Sequence, residues 1–220
     1  MIVSCGCSIS YGYGIDSPDE NSFSSIVAKE KNHKFISLAK PACSNYCIVK
    51  QIEYAIDNYS PQTIIINTTY YNRIDWISNN LNQKKISYLN FHLGEILSVS
   101  EPTIESYVNN TKTIFNEFVN NLLKNQNKKD LQTLIKYIKD YQNEHIENDK
   151  SRLMFSSVLN NNNIDFIILD DFSIINHNRS NIKIIKNKLL PTIAKHNVDG
   201  RHLDITGHQK IAQEILKYLN

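Results

Sequence analysis

Apolar positions along this 220-residue chain follow two rhythms. Short continuous runs, Ile2-Val3, Ile64-Ile65-Ile66 and Phe166-Ile167-Ile168-Leu169, have the length and β-branched content of strands covered on both faces. Helical spacing fills the stretches between them. Phe23, Ile26 and Val27 mark a first helix over Ser22 to Lys31, and Ile48, Ile52, Tyr54 and Ile56 offer an apolar face to a second over Asn45 to Asn58. Phe35 to Leu38 reads as the second strand, and Pro61 punctuates the chain before a third, Thr63 to Asn67. Lys150 to Leu159 reads as the crossover helix into the Phe166 strand. A final helix carries Ile211, Ala212, Ile215, Leu216 and Leu219. Strands alternating with helices in this way predict an α/β protein: a three-layer α/β/α sandwich around a central, mostly parallel sheet.

Between the third and fourth strands lies a segment that a minimal sheet of this kind does not need. Helical periodicity recurs there at Tyr107, Ile114, Phe115, Phe118 and Leu122, and again at Leu131, Leu134, Ile135, Ile138 and Tyr141. The expectation is a helical insertion at about residues 75–150 within a single domain spanning 1–220. Its earlier part either caps the active edge of the sheet or lengthens the scaffold.

Candidate chemistry sits at the two ends. Gly6-Cys7-Ser8-Ile9-Ser10-Tyr11-Gly12-Tyr13-Gly14 is a glycine-punctuated turn leaving the first strand. Ligands of open parallel sheets bind outside the carboxyl ends of the strands, so Ser8 stands where a nucleophile is useful. Near the other end, Asp199-Gly200-Arg201-His202 places a carboxylate three positions before an imidazole, on a loop leading into the last helix. That spacing presents a base together with its orienting acid. Taken singly, Ser8 also suits a turn or helix cap, and His202 an exposed loop. Asp204 and Thr206 are cap candidates for the last helix, Asp204 also competes as partner of His202, and His208 suits packing.

Four blocks in order resemble the SGNH (GDSL-type) hydrolase superfamily, and within it a subgroup with Gly-Cys-Ser in its first block. They are Gly6-Cys7-Ser8 with its spaced glycines, Leu38-Ala39-Lys40-Pro41-Ala42-Cys43-Ser44-Asn45, the strand Ile64 to Asn67 continuing through Thr68-Thr69-Tyr70-Tyr71-Asn72-Arg73, and Asp199 to His202 with Gly207-His208. Cys7 stands where the commoner form has aspartate, and Ala42 where the second block has glycine. The resemblance implies a flavodoxin-like fold and a serine esterase with the triad Ser8, His202 and Asp199. It implies an oxyanion hole from the backbone N–H groups of Ser8 and Ala42, with Thr69 at the place of the third-block asparagine. Asn45, Asn72 and Arg73 are expected near the substrate. Arg73 also suits an ion pair with Asp75 or Asp171. The implied substrate is a small-molecule or carbohydrate ester carrying a small acyl group such as O-acetyl, and no cofactor or metal is implied.

Composition narrows the partners. Twenty-four Lys and Arg against 22 Asp and Glu give a net charge of +2, spread without a basic stripe, so neither nucleic acid nor a membrane is expected as partner. No apolar run approaches the roughly 20 residues of a membrane span, and Met1 leads straight into a strand, which suggests a cytoplasmic protein or a component of a viral particle. The pairs Cys5/Cys7 and Cys43/Cys47 have poor spacing for a zinc knuckle and read as reduced packing thiols. A second hypothesis is a hydrolase-like fold with little turnover that serves as a binding or structural component. A metal-dependent hydrolase using His202, Asp199 and the cysteines is a third.

Overall fold

A computed structural model of the chain describes residues 1–41, 43–69, 73–77, 88–92, 144–160 and 162–219, with backbone alone for 73–77, 88–92 and 144–148. The elements run β1 (Ile2–Cys5), α1 (Ser8–Tyr11), α2 (Pro18–Asn21), α3 (Phe23–Glu30), β2 (Phe35–Ser37), α4 (Asn45–Tyr59), β3 (Thr63–Asn67), β4 (Arg73–Ile77), β5 (Tyr88–His92), α5 (Glu144–Asn160), β6 (Asp165–Leu169), β7 (Ile182–Ile185), α6 (Leu189–Ile193) and α7 (Ile205–Leu216). Residues Met1–Tyr71 and Asn148–Asn220 form one compact unit, and Asn72–Glu147 another.

In the first unit, five strands form one sheet in the order β2-β1-β3-β6-β7, every pairing parallel. The sheet order runs outward from β1 to β2 on one side and to β3, β6 and β7 on the other. The order therefore reverses between β1 and β3, the switch point at which flavodoxin-like sheets open a crevice beyond their strand ends. The fold is a mixed α/β sandwich with its all-parallel sheet flanked by helices, as the alternation of strand and helix predicts.

Burial follows from strand alternation. Ile2, Ile65, Ile167, Leu169 and Ile185 join Phe23, Val27 and Ala28 of α3 and Ile211, Ala212 and Ile215 of α7 in one core cluster. Successive side chains point to opposite faces, so Val3, Ile64, Ile66, Phe166 and Ile168 serve the other layer, where α4 packs on β1. Each such side chain taken from water contributes about 1.5–3 kcal/mol. Within α4, Ile48 and Ile52 are fully buried, whereas Tyr54, expected to be available for burial, is 52% exposed. Two residues beyond Ile52 is about 200° around a helix, which turns Tyr54 to the outer face, where it meets Tyr59 edge to face.

Helix starts are chemically marked. The Ser22 hydroxyl accepts from Ser25 N–H at 3.4 Å, the Ser44 hydroxyl from Cys47 N–H at 3.1 Å, and the Asp204 carboxylate from Gly207 N–H at 2.6 Å. Asp204 is thus the cap of α7. A Cβ on Gly207 would stand 2.8 Å from the His196 carbonyl oxygen, so glycine lets the helix start close against the preceding chain.

In the second unit, β4 and β5 pair antiparallel, Arg73 opposite His92 and Ile77 opposite Tyr88. Polar and apolar residues alternate over Arg73 to Trp76 and over Leu89 to His92, a strand signal that the expectation of a helical insertion does not use. The helical stretches expected between Tyr107 and Tyr141 lie outside the described residues. So do Ala42 and Asn72, and the Arg73 side chain. Among the described residues no helix is long and apolar enough to cross a membrane.

Candidate active site

The turn after β1 is fixed from several directions before it presents Ser8. Gly6 N–H donates to Gln51 Oε1 at 2.7 Å, and Gln51 Nε2 donates back to the Gly6 carbonyl at 3.3 Å, so one carboxamide from α4 satisfies both backbone groups. Lys40 N–H also donates to that carbonyl at 3.2 Å, carrying the pairing of β1 and β2 past the strand ends. A Cβ on Gly6 would lie 2.3 Å from Ser10 Oγ, so only glycine fits. Cys7 precedes α1 without capping it through its side chain; its thiol donates instead to Asn67 Oδ1 at 3.2 Å, across the switch point between β1 and β3. Ser8 is the first residue of α1 and is 7% exposed.

His202 reaches the same place from the other end of the chain. Asn197 and Leu203 form an isolated antiparallel bridge, and Val198 N–H donates to the His202 carbonyl at 3.0 Å, closing a tight loop. Gly200 takes φ +81° with open space around it, so its backbone conformation, not crowding, favours glycine there. Asp199 Oδ1 accepts from the N–H groups of Arg201 and His202, each at 2.9 Å, and Asp199 Oδ2 lies 2.7 Å from His202 Nδ1. The loop therefore binds its own histidine. On the far side of the ring, His202 Nε2 lies 3.0 Å from Ser8 Oγ.

These contacts define the proton inventory. A carboxylate at Nδ1 holds the hydrogen there, which leaves Nε2 as an acceptor facing the serine hydroxyl. Partial burial pushes the Asp199 carboxyl up, but the hydrogen bonds from His202 and from the backbone of Arg201 and His202 outweigh it and hold the acid below its usual value. Asp199 is therefore ionised at neutral pH. Asp199 is 43% exposed and His202 17%, which leaves the pair open on one side.

The neighbouring strand ends are also braced. Asn45 accepts from Thr69 N–H at 3.0 Å and donates to the Thr69 carbonyl at 2.9 Å, so both ends of its buried amide are occupied by the backbone of the segment leaving β3. Thr68 donates through its hydroxyl to Asp170 Oδ1 at 2.9 Å, and Asp170 also accepts from Ile174 and Ile175 N–H, tying the exit of β3 to that of β6. Asn67 Nδ2 donates to the Thr68 carbonyl at 2.7 Å. Thr69 itself is buried. Asp171 accepts from Lys188 and Leu190 N–H and so holds the start of α6.

Sequence reasoning brought forward Ser8, His202 and Asp199, which the fold gathers, and passed over Gln51, Asn67 and Asp170. Gln51 had a signal, a polar residue on the apolar face of α4 one position before Ile52. The four cysteines are buried. Burial and the neighbouring Cys47 push the Cys5 thiol up, so Cys5 stays protonated, and Cys43 and Cys47 bring their sulfurs to 3.1 Å. No group of three or more metal-ligating side chains gathers among the described residues. His208 is fully buried, its Nδ1 accepting from Phe23 N–H at 3.1 Å.

No protein-family model matches this chain, and no curated protein matches it. Among solved structures, it is similar to the psychrotrophic esterase EstA from a Pseudoalteromonas species, itself inhibited by monoethylphosphonate, with a TM-score of 0.51 and 9% identity over 99% of this chain and 95% of that one. A member of the lipolytic G-D-S-L family from Veillonella parvula is also similar, with a TM-score of 0.44 and 14% identity over 98% and 96% of the two chains. At such identities the likeness is one of fold, and the esterase carries it. The architecture is similar to that of this esterase.

Proposed function

We propose that this chain is a serine ester hydrolase of the SGNH superfamily, of the Gly-Cys-Ser subgroup, that removes small acyl groups such as acetyl from a carbohydrate or similar alcohol. The observation that carries this reading is the continuous line from Asp199 Oδ2 through His202 to Ser8 Oγ, with contacts of 2.7 and 3.0 Å. A serine hydroxyl is a weak nucleophile at neutral pH, and this line supplies its base and the base's anchor.

In the proposed reaction, Ser8 Oγ attacks the ester carbonyl as its proton passes to His202 Nε2. Asp199 stabilises the imidazolium. The negative oxygen faces the backbone N–H of Ser8, at the first position of α1, where no intrahelical acceptor exists. By the resemblance, the N–H of Ala42 and the hydroxyl of Thr69 complete this oxyanion set. Collapse breaks the bond to the leaving alcohol, which takes the proton from His202. Water, deprotonated by His202, then attacks the acyl carbonyl, the bond to Ser8 Oγ breaks as that oxygen takes the proton back from His202, and the carboxylic acid leaves. The reaction needs no cofactor.

A second reading, a binding or structural component with little turnover, is favoured by the engagement of the Asn45 and Asn67 amides in bonds to the protein itself. Hydrolysis of aryl and sugar acetates separates the two. The enzyme reading expects turnover by the native protein and loss of about 10³-fold or more in Ser8→Ala and His202→Ala. Equal, background rates in all three proteins contradict it.

A further inference from the structure

We infer that Tyr13 is the platform for the leaving alcohol, selecting alcohols with a flat, uncharged C–H face of the kind a pyranose ring presents. The inference rests on the proposed hydrolase reading and adds to it the side of the site on which the alcohol lies. His202 must deliver its proton to the departing oxygen, so the alcohol leaves beside the imidazole and not across the site from it. The Tyr13 ring lies against that imidazole, with centroids 4.8 Å apart and planes tilted by 47°. Half of Tyr13 remains exposed, against 17% of the His202 side chain, so the tyrosine extends the wall of the base outward to solvent.

The platform is held rigidly. Tyr13 N–H donates to the carbonyl of Ser8 at 2.9 Å, which ties the backbone that carries the ring to the backbone of the nucleophile itself. Gly12 and Gly14 on either side take φ +81° and +87°, values that L side chains rarely adopt. A Cβ on Gly14 would stand 2.7 Å from Val198 Cγ2, so this turn rests directly on the loop that carries Asp199 and His202. The ring is therefore held against the His202 imidazole by a turn fixed on both sides before any substrate arrives, which lowers the entropic cost of binding. An aromatic ring with one hydroxyl offers an apolar face and a polar tip, which complements the C–H face and hydroxyl edge of a sugar. A flexible small alkyl alcohol cannot cover that face.

The test compares two acetates that share an acyl group, an O-acetylated methyl pyranoside and ethyl acetate, in the native protein, Tyr13→Phe and Tyr13→Ala. Loss of the ring is expected to lower kcat/KM roughly tenfold more for the sugar ester than for ethyl acetate, chiefly through KM, and Tyr13→Phe is expected to keep most of the native preference. Equal losses on both esters overturn the proposal, because they show a ring that only supports His202. No change on either ester overturns it as well. A second measurement follows the Tyr13 ring by NMR as methyl pyranoside is added to Ser8→Ala, where a perturbation is expected. Its absence, with native turnover of ethyl acetate intact, overturns the platform and leaves the hydrolase reading standing. Turnover of neither ester by the native protein overturns both.

Discussion

The carboxamide of Gln51 holds both backbone groups of Gly6, at 2.7 and 3.3 Å, two residues ahead of the candidate nucleophile. On the β2 side Lys40 N–H still reaches the Gly6 carbonyl, but the Gly6 N–H takes its acceptor from Gln51, because the chain is already turning into α1. Gln51 stands in for a strand at the point where the sheet ends.

Replacing Gln51 by leucine leaves a buried N–H without a partner and weakens the fixation of the turn. The expected loss is about 1–3 kcal/mol in urea unfolding, with a larger fractional fall in kcat than in substrate affinity. Gln51→Glu, which keeps an acceptor for Gly6 N–H, is expected to fall between leucine and the native residue. An unchanged unfolding midpoint in Gln51→Leu contradicts the role.

Gly6 and Ser10 form a steric pair. An alanine at Gly6 meets Ser10 Oγ at 2.3 Å and Ser10 Cβ at 2.7 Å, so Gly6→Ala must displace the first turn of α1. The expected cost is about 1–3 kcal/mol, with most activity lost. Because Cβ itself clashes, Ser10→Ala should rescue little and Ser10→Gly more, which thermal unfolding of the double variants reads directly.

Asp199→Asn separates orientation from loop structure. The asparagine oxygen can still accept from the N–H groups of Arg201 and His202, so the loop should keep its shape. Its amide nitrogen then faces His202 Nδ1, which favours the tautomer with the proton on Nε2, the wrong one for accepting from Ser8. A fall in kcat on the order of 10³–10⁴-fold with unchanged unfolding stability is expected. A fall under about tenfold would place the carboxylate outside the proton transfer.

His208 links stability to pH. Burial, opposed by the charge of Asp204, pushes its imidazole down to about 4 from 6.5. In the neutral form Nδ1 accepts from Phe23 N–H, and the buried Nε2 has no partner among the described residues. The unfolded chain takes up a proton near pH 6.5 and the folded one only near 4, so stability falls as pH drops through this window. The change is on the order of 3 kcal/mol. His208→Gln, whose oxygen can accept from Phe23 N–H, should flatten urea midpoints measured between pH 4.5 and 7.

Much of this arrangement is legible in the chain itself. The runs Ile64 to Ile66 and Phe166 to Leu169 announce doubly covered strands because parallel sheets bury both faces, and Asp199 with His202 announces a self-oriented base because three residues of loop suffice to join them. Local sequence cannot show the contacts made by Gln51 and Asn45, since each braces a backbone far along the chain, 45 and 24 positions away. The placement of Tyr54 failed for a simpler reason: an isoleucine-rich helix invites every large apolar residue into the core, and only the angular count excludes one. Strand β7 is short and edge-lying, and Lys183 interrupts its apolar residues, so its sequence carries little strand signal.

A fluorophosphonate adduct, mapped by mass spectrometry, tests the convergence of the chain ends most directly. The account predicts a single modified residue, Ser8, in the native protein, and loss of labelling in His202→Ala although the serine remains. An unlabelled native protein, or an adduct at Ser8 that persists undiminished without His202, would contradict the proposal that these two side chains act as nucleophile and base.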